Sequence, residues 1–399
     1  MNEFPIKIAG FDDTFLLRIC FEIDAFEEIL NQLPNKGTLL SYPFLKAIES
    51  SAPDGLKPIY AILSDQKNNP IGFYYFQVKY FKANQSVRFD DDEDFFCRLH
   101  VKLKSLVANL VEFNTLVCGN LLLSGPYGMV TSPTFEKQKG LIYQYVIEEV
   151  QDWLRSKNID TNVILVKDFF SDQTILDEST FHRFEIQPNM ILDHHKEWNT
   201  FDDYLNSLHS KYRIRARRAM KAAIHVVRKE LGIEETLKLN DQLYQLYKFT
   251  ATHAEFNLID LHADYFYQLK KNLGDRCHIY TYTIDEKIVA FYTILEDGDE
   301  SEAHFLGINE EENKKYQIYL NILFDIIRAS ILLGKKQTRF SRTALEIKSS
   351  VGATPHALVC YIKHRKVINN TFVPYLLDFL TQNQDWVQRH PFKDHEVEV

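Results

Sequence analysis

The segment HSKYRIRARRAMKAAIHVVRK is the most unusual chemistry-bearing stretch of the chain. From Tyr204 to Lys229 it has no acidic residue, while Lys211, Arg213, Arg215, Arg217, Arg218, Lys221, Arg228 and Lys229 are all basic. On one helix, Leu205, Leu208, Tyr212, Ala216, Ala219 and Ala223 recur three or four residues apart and form an apolar stripe. The other faces then carry a cationic band. Guanidinium groups grip phosphates bidentately, so Arg213, Arg215, Arg217 and Arg218 are candidates for holding a phosphate-bearing substrate or carrier. The alternative is a solvated helix face whose acidic partners lie elsewhere in the chain.

Two further stretches carry candidate chemistry. In HFLGINEEENKKYQIYLNILFDIIRAS, His304 to Ser330, a strand turns at Gly307 and feeds a helix. Backbone N–H groups at a helix start can hold a pyrophosphate, which makes Gly307, Ile308, Asn309, Lys314 and Lys315 candidates for binding a nucleotide-bearing cofactor. An ordinary strand-to-helix connection reads the same way. In FSRTALEIKSSVGATPHALVCYIKHRK, Phe340 to Lys366, polar side chains gather around a Gly-Ala-Thr-Pro turn. There Lys348 can neutralise developing negative charge, Glu346 can accept a proton, and Arg342 joins the cofactor-binding candidates. A surface ion pair would account for Glu346 or Lys348 equally well. Tyr316 and His304 complete the catalytic candidates, as acid for a leaving group and as alternative base.

Other chemistries lack their signatures. The sequence contains no GxSxG, HExxH or GxxxxGK[ST], and no GxGxxG placed after a strand. His194 and His195 are adjacent in a connecting stretch, where histidines are more often surface residues than ligands, so no metal is expected. The five cysteines, Cys20, Cys97, Cys118, Cys277 and Cys360, are too far apart for a zinc or redox motif.

The elements that position these residues follow from pattern. With 399 residues the chain exceeds the roughly 250 to 300 that one core supports, so two domains are expected. Hydrophobic residues at 45% and charged residues at 25% are ordinary globular usage. The 29 Phe and 21 Tyr are first of all core fillers. A net charge of −9 excludes a global attraction to nucleic acid or anionic membrane, leaving any phosphate site local. No apolar run reaches the roughly 20 residues of a membrane span, and MNEFPIKIAGFDD has no signal pattern, so the cytoplasm is the expected location.

The first half reads as helices at Ile23 to Leu33 and Tyr42 to Glu49, then a hairpin over Pro58 to Phe81. An acidic loop at Asp90 to Asp94, a strand from Thr115, a helix from about Thr134 to Lys157 and a strand at Asn162 to Phe169 follow. The second half repeats the order: helices from Phe201 to Lys229 and at Asp241 to Tyr247, three strands over His278 to Asn309, a helix from Lys315 to Leu333, and strand character at Thr338 to Thr343. The fold class is therefore α/β of the α+β type, with two similar domains, 1–190 and 191–399, each a mixed, largely antiparallel sheet flanked by helices. The junction is expected near Asn189 to Asn199.

Four stretches, SYPFLKAIE (Ser41 to Glu49), GNLLLSGPYG (Gly119 to Gly128), FDDYLNSLHSKYRIRARRAMKAA (Phe201 to Ala223) and SRTALEIKSSVGATPHALVCYIKHR (Ser341 to Arg365), carry a resemblance to the FemAB-like branch of the GNAT superfamily. It covers nearly the whole chain, and the third stretch is its most specific part. The resemblance implies tandem GNAT-like domains that pass an acyl or aminoacyl group from a carrier to an amine, with acyl-coenzyme A or acetyl-coenzyme A as the donor. It places Tyr316 where relatives hold the coenzyme pyrophosphate and Lys348 where a positive side chain lies near the reacting carbonyl. The acceptor would be a small amine or a cell-wall or lipid precursor. The Gln/Arg-x-x-Gly-x-Gly/Ala pyrophosphate loop of the family is absent from Asn309 to Lys315. Two alternatives stand beside the enzyme reading: a GNAT-fold binding protein without catalysis, and a ligase that takes its aminoacyl group from a tRNA.

Overall fold

A computed structural model of the chain describes residues 1–33, 37–82, 112–253, 259–366, 369–371, 373 and 386–393. The acidic run at Asp90 to Asp94 lies outside the described residues. Chain contacts divide the protein into two units. The first comprises Met1–Ile186, His253–His262 and Leu358–Gln382, and the second Gln187–Thr252, Ala263–Ala357 and Asn383–Val399.

In the first unit, β1 (Asn2–Lys7), β2 (Thr14–Cys20), β3 (Leu56–Ser64), β4 (Pro70–Lys82) and β5 (Glu112–Cys118) form an antiparallel meander. The short β6 (Met129–Thr131) also pairs with β4. Two helices precede β3: α1 (Glu27–Leu30) and α2 (Tyr42–Ser50). The helix expected after β5 forms as α3 (Lys139–Ser156), burying Ile142, Tyr143, Val146, Ile147, Val150, Trp153 and Leu154 at helical spacing. The chain then enters β7 (Val163–Phe170), parallel to β5. This β5–α3–β7 crossover is the reason for a parallel pair in an otherwise antiparallel sheet.

The second unit has the same order of elements. After β8 (His182–Asp193) come α4 (Phe201–Ser207), α5 (Ser210–Ala222), β9 (Val227–Glu230), α6 (Ile233–His253) and α7 (Tyr265–Leu273). The meander β10 (Cys277–Ile284), β11 (Lys287–Asp297) and β12 (Glu300–Ile308) is antiparallel, with β9 on its outer edge. Next are α8 (Glu310–Tyr316), α9 (Ile318–Leu332), β13 (Gln337–Arg339), α10 (Leu345–Ser349) and β14 (Thr354–His364), of which 354–357 belong to this unit and 358–364 to the first, where they pair antiparallel with β7. β13 runs parallel to β12 and antiparallel to β8. α9 is buried on nearly every side, as its run of Ile, Leu and Phe demands, and Gly334 at φ +67° closes its C-terminus.

Two sequence-derived helices are corrected by this structure. The single helix over 201–229 is three elements, because Leu208 and His209 are extended. Leu208 makes a β-bridge with Phe392, and the His209 N–H donates to Pro391 O at 2.8 Å. At the other end, Val227, Arg228, Lys229 and Glu230 leave the helix and pair with β10 in an antiparallel register. The β-branched Val227 favours the strand. The helix from Lys315 to Leu333 likewise breaks at Gln317, which sits in the left-handed region at φ 52° and separates α8 from α9. The start of the first correction was legible: Thr200 and Asp203 form a reciprocal capping box at the head of α4.

Candidate active site

The chemistry of the second unit gathers where β12 and β13 part. Their parallel pairing covers only Glu300 with Gln337, Ser301 with Thr338 and Glu302 with Arg339. Beyond Glu302, β12 continues for six residues, paired on its other side with β11. That pairing is irregular between Tyr292 and Ile294, and at the bulge the Thr293 hydroxyl bonds both the N–H and the C=O of Phe305, at 3.0 and 2.9 Å. A bulge re-aims the strand locally and turns side chains of adjacent residues toward one spot.

Lys348 comes into this region on α10. It is buried, and its Nζ donates to the carbonyl of Arg342 at 2.7 Å and of Ser341 at 3.4 Å. The loop presenting those carbonyls is strained: Ser341, Thr343 and Ala344 all have positive φ, at 62°, 73° and 47°. A β-branched residue in that region costs on the order of 1–3 kcal/mol, and such strain concentrates at functional sites. Burial pushes the Lys348 ammonium down to about 7, with Glu302 opposing the shift. Burial likewise pushes the Glu302 carboxyl up to about 8, partly offset by Arg339. Glu302 Oε2 is buried with no hydrogen-bond partner. Arg339, beside Glu302 in the parallel register, is itself held by Glu300 at 2.6 Å. Lys348 and Glu302 are therefore two buried titratable groups that feel one another's charge, each pushed by burial toward its neutral form.

The remaining candidates are dispersed. His304 hydrogen-bonds through Nε2 to the Tyr265 hydroxyl at 2.7 Å, and burial pushes its imidazole down to about 3, so it stays neutral at physiological pH. Glu346 is exposed and ion-paired with Arg389, pointing to the surface rather than sharing the Lys348 environment. Tyr316 ends α8, partly exposed, with Lys315 Nζ 4.7 Å from its ring. Arg342 contributes its carbonyl to Lys348, a contact that sequence reading did not foresee.

The strand-to-helix turn does not fit a coenzyme pyrophosphate. Asn309 caps α8 with its own side chain on the Glu312 N–H at 3.1 Å, and the first turn carries Glu310, Glu311 and Glu312. Three carboxylates at a helix start occupy the positive dipole end and repel a diphosphate. The Ile308 N–H donates to Thr250 and the Asn309 N–H to Val289, while at the start of α9 Asn313 takes the Tyr319 N–H. Lys314 pairs with Glu310 at the surface. Gly307 serves packing: a Cβ there would lie 2.5 Å from the Leu246 carbonyl carbon and 2.6 Å from the Tyr247 nitrogen, both backbone atoms. Gly307→Ala is accordingly expected to destabilise the protein by about 3 kcal/mol, read as a lowered denaturation midpoint. An unchanged midpoint would return Gly307 to the ligand-binding candidates.

The basic helix lies against this region. α5 packs on α8 and α9 through Ala216 and Ala219, and Asn321 Nδ2 bonds Ala219 O at 3.0 Å. Arg213 folds back on the carbonyls of Asn206 and Leu208, whereas Arg215, Arg217 and Arg218 are exposed. Arg228 and Lys229 are used otherwise. The Arg228 Nε donates to the Tyr292 hydroxyl at 2.7 Å with its guanidinium 3.8 Å from the centre of the Tyr280 ring, and Lys229 pairs with Glu235. Glu302, Arg339, Tyr265 and Thr293 were missed by sequence reading. No sequence signal set Glu302 apart, since Glu300 stands two residues before it in the same strand.

Residues 210–349 match the acetyltransferase (GNAT) domain family. The second unit carries a GNAT acyltransferase domain. FemX shares the fold of this chain with a TM-score of 0.51 and 10% identity, covering 90% of this chain and 100% of its own. The FemAB-like resemblance read from the sequence is thus met at the level of fold. Two solved structures with TM-scores of 0.48 are the C-terminal domain of a putative lysylphosphatidylglycerol synthetase from Agrobacterium fabrum and a tandem GNAT protein from the clavulanic acid biosynthesis pathway. The first is 8% identical over 89% of this chain and 96% of its own, the second 9% over 87% and 98%. No curated protein matches the chain significantly. Among the described residues no helix is long and apolar enough to cross a membrane, and no cluster of side chains has the make-up of a metal site.

Proposed function

We propose that the second unit transfers an acyl group from an activated ester or thioester donor to an amine, with Lys348 as the central group. The observation that carries this reading is the hydrogen bonding of Lys348. A neutral amine has two N–H donors and one lone pair. Two backbone carbonyls, of Ser341 and Arg342, match the donors and leave the lone pair. A base whose pKa lies near 7 is poised for proton transfer at working pH.

In this reaction the acceptor nitrogen attacks the donor carbonyl carbon while its proton passes to Lys348 Nζ. The resulting ammonium then lies beside Glu302 and faces the oxyanion of the tetrahedral intermediate. Collapse re-forms the carbonyl, breaks the bond to the leaving sulfur or oxygen, and that atom takes a proton from Tyr316; the Lys348 ammonium then gives up its proton to water and the Tyr316 phenolate takes one from water, which restores both groups. Holding donor and acceptor in line supplies roughly 7–11 kcal/mol of barrier lowering, so no covalent enzyme intermediate is required. His304, held neutral, and Glu346, engaged by Arg389, are not assigned as bases.

Acyl-coenzyme A is the donor implied by the domain family, but Glu310, Glu311 and Glu312 in the β12–α8 turn oppose its pyrophosphate, and no step is routed through it. That misfit favours a second reading, an aminoacyl ester as donor. Calorimetric titration of the full chain with acetyl-coenzyme A, set beside turnover of an aminoacyl ester, separates the two. Tight coenzyme binding displaced by charge reversal at Lys315 would restore the turn as a pyrophosphate site. Tyr316→Phe is expected to lower kcat about 10–100-fold with poor leaving groups and little with good ones. Equal losses across leaving groups would remove the acid role.

A further inference from the structure

We infer that the outer face of α5 is a docking surface for an anionic lipid bilayer. Ile214 stands at the crest of this face, 56% exposed, with Lys211 three residues before it and Arg217, Arg218 and Lys221 three, four and seven residues after it. At helical spacing those four cations surround one aliphatic side chain on a single outward row. Arg215, Arg217, Arg218 and Lys221 make no ion pair with a described residue, and all four are exposed. Immediately beyond the helix, Ile224 and Val227 are 71% and 63% exposed. The opposite face of α5, through Ala216 and Ala219, is packed on α9.

This combination identifies the partner by its chemistry. A chain of net charge −9 that keeps an unneutralised cationic helix is complementary to a dense negative surface. Long Lys and Arg side chains reach headgroup phosphates while an aliphatic residue between them enters the acyl boundary. Single-stranded nucleic acid would instead be met by exposed aromatic rings for stacking. The outward row of α5 has none, its one aromatic, Tyr212, being partly buried. The inference goes beyond the transfer reaction and holds for either donor.

Co-sedimentation of the full chain with vesicles tests it. At low salt the protein is expected to bind phosphatidylcholine vesicles containing phosphatidylglycerol and to leave pure phosphatidylcholine in solution. Each cation near such a surface adds roughly a fivefold gain in partitioning, so Arg215→Gln, Arg217→Gln and Arg218→Gln together should weaken binding about a hundredfold. Ile214→Ser, which keeps every charge, should weaken it several-fold. All four positions are exposed, and unchanged thermal denaturation of the variants verifies that they fold. Absence of wild-type binding to phosphatidylglycerol vesicles overturns the inference. So does binding that Ile214→Ser leaves intact and that tRNA competes away, which would assign the face to nucleic acid. Because Lys348 is not altered, failure here leaves the transfer reaction standing, and loss of turnover in Lys348 variants leaves this surface standing.

Discussion

Replacing Lys348 by Met should reduce kcat/KM by about 10²–10³ while leaving the fold intact, the largest single effect expected in this protein. The magnitude is that of deleting one preorganised charge at a developing oxyanion, here compounded by loss of the base. Wild-type activity should rise with pH through a single deprotonation near 7, the value to which burial brings the Lys348 ammonium. Lys348→Arg, which is cationic at every accessible pH, keeps the charge and cannot accept a proton. It should therefore be as inactive as the Met variant if Lys348 is the base, and partly active if charge alone matters. Turnover within a few-fold of wild type in Lys348→Met would dismiss the proposed chemistry.

Glu302→Gln is the second large effect, and its diagnostic reading is a pH profile. In the fraction of molecules where it is ionised below pH 8, Glu302 favours the protonated lysine, so its removal should shift the acid limb of kcat/KM slightly to lower pH and lower the plateau about 10-fold. The same pair makes a prediction about stability whose sign can be worked through. Native Lys348 releases its proton near 7, whereas an unfolded lysine holds it to about 10.4. Between those values the unfolded chain binds more protons, so stability rises with pH. Native Glu302 keeps its proton to about 8, whereas an unfolded glutamic acid loses it near 4.3. Between those values the native chain binds more protons, and stability falls as pH rises.

The two contributions combine in the wild type. Their joint effect decreases stability from about pH 4.3 to 7, is flat from 7 to 8, and increases it above 8. Glu302→Gln keeps only the rising part and Lys348→Met only the falling part, each by up to about 1.4 kcal/mol per pH unit relative to the double variant. Urea denaturation of the four proteins at pH 6, 7.5 and 9 reads this directly. Parallel pH dependences for the two single variants would show that the side chains do not titrate as two buried groups.

The order of elements in both units was legible in the sequence because it rests on local signals. The β-rich runs of β3 and β10, the apolar spacing of α3, and Gly334 after α9 depend on neighbours within one turn or one strand. Lys348 was singled out the same way, as a cation beside a tight turn. Glu346 and Lys348 looked interchangeable, however, since two residues of separation on one short helix do not reveal which side faces the sheet. In the structure one is buried over Ser341 and Arg342 and the other is paired with Arg389.

Composition and spacing alone determined that this chain folds as two similar α/β units and that one short segment, Tyr204 to Lys229, carries eight basic residues and no acidic one. Only tertiary structure decided where that segment stops being helix, because pairing of Val227 to Glu230 with β10 joins residues about fifty positions apart. It also decided that Glu302 and Lys348 are both buried. Their pKa shifts arise from desolvation, a property of everything packed around a group, and no local stretch of sequence records it.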